Sequence, residues 1–142
     1  MTRAWFATIP GKVIVNPLGM EAQIQSGFID GLSLALTSSM HLEDGHFLEA
    51  SWDNYAYTRQ WNVPKEKIHV YLLPPDPDEK PAGAGEMAVS PSKAAVACAY
   101  VRATGQAPKR WPVNHDKPLH FDPYPFEPPL PPSPTNGLET TY

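Results

Sequence analysis

Eighteen prolines in 142 residues, eight of them between Pro118 and Pro134, set the first limit on what this chain can fold into. Each proline fixes φ and removes a main-chain donor, so a segment this dense in proline sustains neither a helix nor a central strand. Residues 114–142 are expected to form an extended proline-rich tail. The folded body must then come from residues 1–113, whose composition is that of an ordinary globular domain.

Within that body, periodicity and punctuation predict a series of short elements. Residues 12–15 carry three β-branched side chains between Pro10-Gly11 and Asn16-Pro17, the pattern of a short buried strand. Asn16 then caps a helix whose first residue is Pro17, where the missing N–H costs nothing. Glu21 is expected to favour the positive end of that helix. Ile24, Phe28, Leu32 and Leu36 recur every fourth residue, so the helix runs to about Ser39 with one apolar stripe. Gly27 and Gly31 lie on a neighbouring line and cost about 1 kcal/mol each against alanine. Such a pair points to close packing of backbone against another helix, a sheet or a cofactor.

Asp44-Gly45, flanked by apolar residues, suits a type I′ hairpin turn. Residues 68–73 form the clearest strand, with Ile68, Val70 and Leu72 on one face and His69 on the other. Residues 76–84 are charged and rich in proline and glycine, and read as a loop leading into Gly85-Glu86. Ser90-Pro91 repeats the cap-plus-proline signal, and an alanine-rich helix with Cys98 in its core follows, ending at Gly105. Residues 110–113 offer a last strand. The order β-α-β-β-β-α-β predicts an α+β fold: a small mixed sheet with two packed helices and the extended tail.

The chemistry available is limited. A net charge of -4 with no basic face argues against nucleic acid as a partner. The single Cys98 excludes an internal disulfide framework and a cysteine-based zinc or iron–sulfur site. His41, His46, His69, His115 and His120 are scattered, with no i, i+4 pair for zinc. No run approaches the roughly 18 apolar residues of a membrane span, and residues 1–6 are too short for a signal peptide. Neither a G-x-S-x-G elbow nor a phosphate-binding loop is present. Tyr55, Tyr57 and Trp61, following Trp52, either pack at the edge of the core or line a channel for a flat substrate.

Three segments in sequence resemble the C-terminal part of the molybdopterin-binding large subunit of the xanthine dehydrogenase and aldehyde oxidase family. They are Val15-Asn16-Pro17 with Gln23-Ile24-Gln25-Ser26-Gly27 and Gly31-Leu32; the Asp44-Gly45 hairpin with the Tyr57 stretch; and Gly83-Ala84-Gly85-Glu86 before an alanine-rich helix. The order and spacing match from Lys12 to Val113, and look most like the isoquinoline 1-oxidoreductase β-subunit and aldehyde dehydrogenase type. Met87 stands where the family has proline, and Ser26-Gly27 replaces its pair of small residues. The family's subunit is several times longer, and most of its cofactor contacts lie upstream of anything in this chain.

The resemblance implies a division into residues 1–113, a molybdopterin-binding-type domain, and residues 114–142, the tail. It also implies a reaction, hydroxylation of an aldehyde or of a carbon beside a ring nitrogen, with water as the oxygen source. Such a reaction needs a proton acceptor within hydrogen-bond reach of the attacking oxygen. The resemblance assigns that role to Glu86, with Gly83 and Gly85 letting the backbone approach the cofactor and Gln23 contacting it. No metal ligand is implied in this chain. The molybdopterin-type cofactor is shared with an upstream molybdopterin-binding chain, and iron–sulfur clusters belong to a separate [2Fe-2S] subunit. A cytochrome c is a further partner in the type that passes electrons to cytochromes. The chain alone is expected to be inactive, in a compartment, cytoplasm or periplasm, that the residues leave open. The competing reading is a non-catalytic interaction module, or an inactive orphan fragment, that binds a partner through the proline-rich tail.

Overall fold

The computed structural model describes residues 1–49, 52, 55–59, 63 and 67–115. Residues 116–142, which include most of the expected tail, and Trp61 lie outside the described residues. The chain begins with a strand, β1 (Arg3–Thr8), followed by a 20-residue helix, α1 (Pro17–Leu36). A two-residue ribbon, β2 (Leu42–Glu43) and β3 (His46–Phe47), precedes β4 (Lys67–Leu72), and α2 (Val89–Thr104) closes the order. The α+β class stands, but the single mixed sheet does not. β1 pairs with β4 in parallel, and β2 pairs with β3 antiparallel as a separate ribbon.

The first strand differs from the sequence expectation. Residues 12–15 form no strand; Val15 is 91% exposed, so its β-branched run meets nothing to bury it. The sheet strand comes from the N-terminal residues instead. Ala4, Phe6 and Thr8 turn inward there while Arg3, Trp5 and Ala7 face out, an alternation of period two. Its register sets Ala4 opposite Ile68 and Trp5 opposite His69, whose rings stack with centroids 5.7 Å apart.

α1 starts as its residues dictate. The Asn16 side chain accepts from Gly19 N–H at 3.0 Å, and Pro17 occupies the first turn. Glu21 falls beyond the first turn, where the dipole effect has faded, and the helix stops at Leu36 rather than Ser39. The apolar stripe divides between two small cores. Phe28 packs with Ala4 and Ile68 under the sheet, while Leu32 and Ala35 pack with Val96 of α2.

Gly27 and Gly31 are where α2 comes closest. A methyl group at Gly31 would lie 2.3 Å from the Val89 carbonyl oxygen, and one at Gly27 3.1 Å from the Ala88 methyl. The pair therefore serves helix–helix contact. α2 begins at Val89, one residue before the Ser90-Pro91 signal, with Ala88 at the cap position making no side-chain bond, so Pro91 is the third helical residue. Its lack of a donor is still harmless in the first turn. At the far end Gly105 takes φ 72 and donates to the Val101 carbonyl at 2.7 Å, as expected. Cys98 is exposed, not core, because α2 buries only Ser92 and Val96 against α1.

The hairpin turn is as read, with Asp44 and Gly45 both at positive φ (47° and 79°). The last expected strand, residues 110–113, is absent. Val113 N–H donates to the Ala35 carbonyl and Asn114 N–H to that of Leu36, at 2.9 and 3.0 Å. These donors satisfy orphan carbonyls at the end of α1 instead of joining a ladder.

Candidate active site

The residues singled out from the sequence meet at the N-terminal end of α2. The loop from residue 76 begins with an Asx turn, in which Asp78 N–H donates to Asp76 Oδ1 at 3.1 Å. It is then pinned where Gly11 bridges Pro81 in antiparallel fashion. Gly11 sits at φ 94°, with room for no side chain: a methyl there would lie 2.5 Å from the Ala82 nitrogen. Beyond that clamp the chain runs through Gly83-Ala84-Gly85 into Glu86.

Gln23, on α1, donates from Nε2 to the Gly85 carbonyl at 2.6 Å, across 62 residues of sequence. Glu86 itself is exposed, and its carbonyl accepts from Val89 N–H at 3.1 Å as α2 begins. Met87, in the family's proline position, is held by its side chain: Thr8 Oγ1 of β1 donates to its sulfur at 3.7 Å. The turn carrying Glu86 is thus tied to α1, β1 and α2 together.

Gly83 and Gly85 differ from the helical glycines. A methyl at either would meet no atom within 4 Å, and neither has the positive φ that would demand glycine. Packing within the described residues gives no reason for glycine at these two places. They leave bare main chain beside an exposed carboxylate and an exposed amide. That set suits one wall of a site for an organic, hydrogen-bonding cofactor.

The aromatic residues lie at the other end of α1. Tyr55 and Tyr57 stack with centroids 5.9 Å apart, Trp52 sets its edge against both, and Arg59 lies 4.7 Å over Tyr57. Thr58 N–H donates to Ser33 Oγ at 2.9 Å, which fixes this cluster ten residues, or roughly 15 Å, along α1 from Gln23. Tyr55 and Tyr57 are half-buried there and Trp52 is exposed.

Two of the scattered histidines also meet. The His41 and His115 rings stack at 4.3 Å, and His41 Nε2 bonds the His115 carbonyl at 3.0 Å. Its Nδ1 bonds Glu49, whose other oxygen accepts from His41 N–H at 2.6 Å. Ser39 Oγ bonds His115 Nδ1 at 2.8 Å. Nothing in the sequence signals this contact between residues 74 positions apart.

The comparisons with known proteins bear on this turn and its helices. The chain is 31% identical over 114 residues to the β-subunit of the isoquinoline 1-oxidoreductase of Brevundimonas diminuta, a match covering 80% of this chain and 14% of that protein. It is 31% identical over 105 residues to a nicotinate dehydrogenase subunit of Pseudomonas putida, covering 74% and 9%. The molybdenum-binding subunit of an Escherichia coli aldehyde oxidoreductase matches at 28% over 120 residues, covering 81% and 16%. The chain is homologous to a portion of the molybdenum-binding subunits of the xanthine oxidase family. It spans less than a fifth of the length of any of these family members. The fold agrees with the family: a crystal structure of a copper- and molybdenum-containing carbon monoxide dehydrogenase, in its carbon monoxide-reduced state, aligns with TM-score 0.55. That alignment is at 19% identity and covers 64% of this chain and 12% of that one. No family model matches the chain.

Proposed function

We propose that this chain supplies the proton-accepting wall of a molybdenum hydroxylase active site, completed by a larger molybdenum-binding chain. The substrates are aldehydes or N-heteroaromatic compounds, oxidised with water as the oxygen source, in keeping with the names of the relatives. The observation that carries the reading is the hydrogen bond from Gln23 Nε2 to the Gly85 carbonyl. It ties the turn that carries Glu86 to α1, just after two glycines, Gly83 and Gly85, that internal packing does not require.

The reaction adds one oxygen from water to the substrate carbon and removes two electrons and two protons. The molybdenum cofactor, when bound, supplies the two-electron oxidant. A carboxylate oxygen of Glu86 accepts the proton of the attacking oxygen, and its exposure on a glycine-flanked turn leaves it reachable. Gln23 positions that turn, and its amide oxygen remains available to a donor on the cofactor. Main chain at Gly83 and Gly85 approaches the cofactor without a Cβ between. Electrons leave through partner subunits carrying iron–sulfur clusters and, in the cytochrome-linked type, through a cytochrome c.

The test is Glu86→Gln in the assembled enzyme. Turnover is expected to fall at least about 100-fold, the scale of a lost general base, while molybdenum content and assembly stay unchanged. Unaltered turnover would remove Glu86 from the chemistry.

A further inference from the structure

Among the described residues the sheet ends at β4. Main-chain groups of alternate residues point to opposite edges of a strand. Leu73 N–H donates to the Thr8 carbonyl at 2.9 Å, so the odd-numbered residues of this stretch face β1. The main-chain groups of Ile68, Val70 and Leu72 therefore face the other edge. Among the described residues no main chain pairs there. The Ile68 carbonyl is met instead by a side chain, Gln25 Nε2, at a long 3.4 Å.

Beside this edge lies a groove of about 510 Å³ between α1 and β4. Glu21, Gln25 and Ile29 of α1 form one wall at successive four-residue spacing, and β4 with Val63 forms the other. The groove is apolar along Ile29, Val63, Ile68 and Val70 and acidic at Glu21. Gln25 is two residues, or roughly 200°, around α1 from Gln23. The groove and the Glu86 turn thus lie on opposite sides of the helix.

We infer that the free edge of β4 accepts an extended segment of the larger molybdenum-binding chain, which adds a third strand to the sheet and fills this groove. The inference rests on the reading above that such a chain completes the site. A two-stranded parallel ribbon is an incomplete structure, since parallel sheets are normally larger and covered. The occupant must bring main-chain donors and acceptors in a ladder, apolar side chains at alternate positions and a basic residue toward Glu21. The chain's own tail is a poor source, because eight prolines between Pro118 and Pro134 lack the donors. The remaining source is the large part of the relatives' length, 86% in the Brevundimonas diminuta protein, that this chain does not span.

The probe is the Brevundimonas diminuta protein lacking its 114-residue matched region, mixed with the full chain and followed by amide hydrogen exchange. A complex in which the amides of Ile68, Val70 and Leu72 slow at least tenfold is the expected result. A complex that leaves those amides exchanging as in the free chain overturns the docking edge and keeps the shared active site. No complex, with the truncated protein seen to be folded by circular dichroism, overturns the shared-site reading, and the edge with it. Protection already present in the free chain, and lost on dilution or on removal of residues 116–142, assigns the edge to a second copy or to the tail and overturns the inference. Val70→Pro removes one outward donor without touching the β1 ladder. It is expected to weaken association at least tenfold with the helical signal unchanged; if it fails to fold, the exchange experiment decides.

Discussion

Gln23 and Gly85, 62 residues apart in sequence, are joined by a 2.6 Å hydrogen bond from the Gln23 amide to the Gly85 carbonyl. One contact thereby links the helix that organises both cores to the turn that presents Glu86. The bond is exposed, so its worth lies in placement more than in stability.

Gln23→Leu tests that placement. Global stability should fall by no more than about 1 kcal/mol, the usual net value of one hydrogen bond. The Gly85 and Glu86 amides should exchange faster, and kcat of the assembled enzyme should drop more than KM rises. Gln23→Glu, which retains length but loses the donor, should behave like the leucine variant; an unchanged kcat in both would leave Gln23 a surface residue.

The glycines divide into two groups with opposite expected phenotypes. Gly31→Ala places a methyl 2.3 Å from the Val89 carbonyl oxygen, main chain that cannot yield without moving α2. Overpacking of about 1–3 kcal/mol outweighs the gain of about 1 kcal/mol in helix propensity, so the urea midpoint should fall. Gly85→Ala meets nothing within 4 Å and should leave the midpoint unchanged, yet lower turnover of the assembled enzyme. A folding loss at Gly85, or none at Gly31, would contradict the helix-contact and cofactor-wall assignments.

Asn16→Ala removes the side chain that accepts from Gly19 N–H at the start of α1. A loss of about 1 kcal/mol is expected, and Asn16→Asp or Asn16→Ser should restore most of it. Thermal melts of the three variants check the order.

Glu49 supplies a pH dependence. Burial pushes its carboxyl up, but hydrogen bonds from the His41 backbone and ring, with the charge of that ring, outweigh it and hold the carboxyl below its ordinary 4.5. A carboxyl lowered in the folded state stabilises fully above its unfolded value and loses that contribution as pH falls through the folded value. The contact between His41 and Glu49 should therefore be intact at pH 7 and weaken below about pH 4.5. Glu49→Gln should cost stability at pH 7 and little at pH 3, read from melting temperatures of both proteins across that range.

Local signals in the sequence are reliable where the physics is local. Asn16-Pro17, Asp44-Gly45 and Gly105 each require only their own dihedrals and nearest donors, and all three appear as read. Residues 12–15 mislead because β-branched side chains describe a strand's needs without saying whether a partner is in reach. β1 escapes notice for the converse reason: Arg3–Thr8 carries a single β-branched residue, Thr8, but β4 is there to pair with it. Cys98 lies on the open side of α2 because alanine-rich composition does not reveal which face of a helix is covered. In the candidate site, Glu86 and Gln23 are singled out only through the resemblance of their motif. Their connection through the Gly85 carbonyl is not, since no local rule links positions 23 and 85.

The two hydrogen bonds from Val113 and Asn114 to the last carbonyls of α1 fasten the end of the described chain to one end of that helix. Gln23 stands thirteen residues nearer the other end, roughly 20 Å away. α1 is thus secured toward both ends by residues distant in sequence, Gly85 before α2 and residues 113–114 after it, which makes it a beam carried on two supports rather than a free rod.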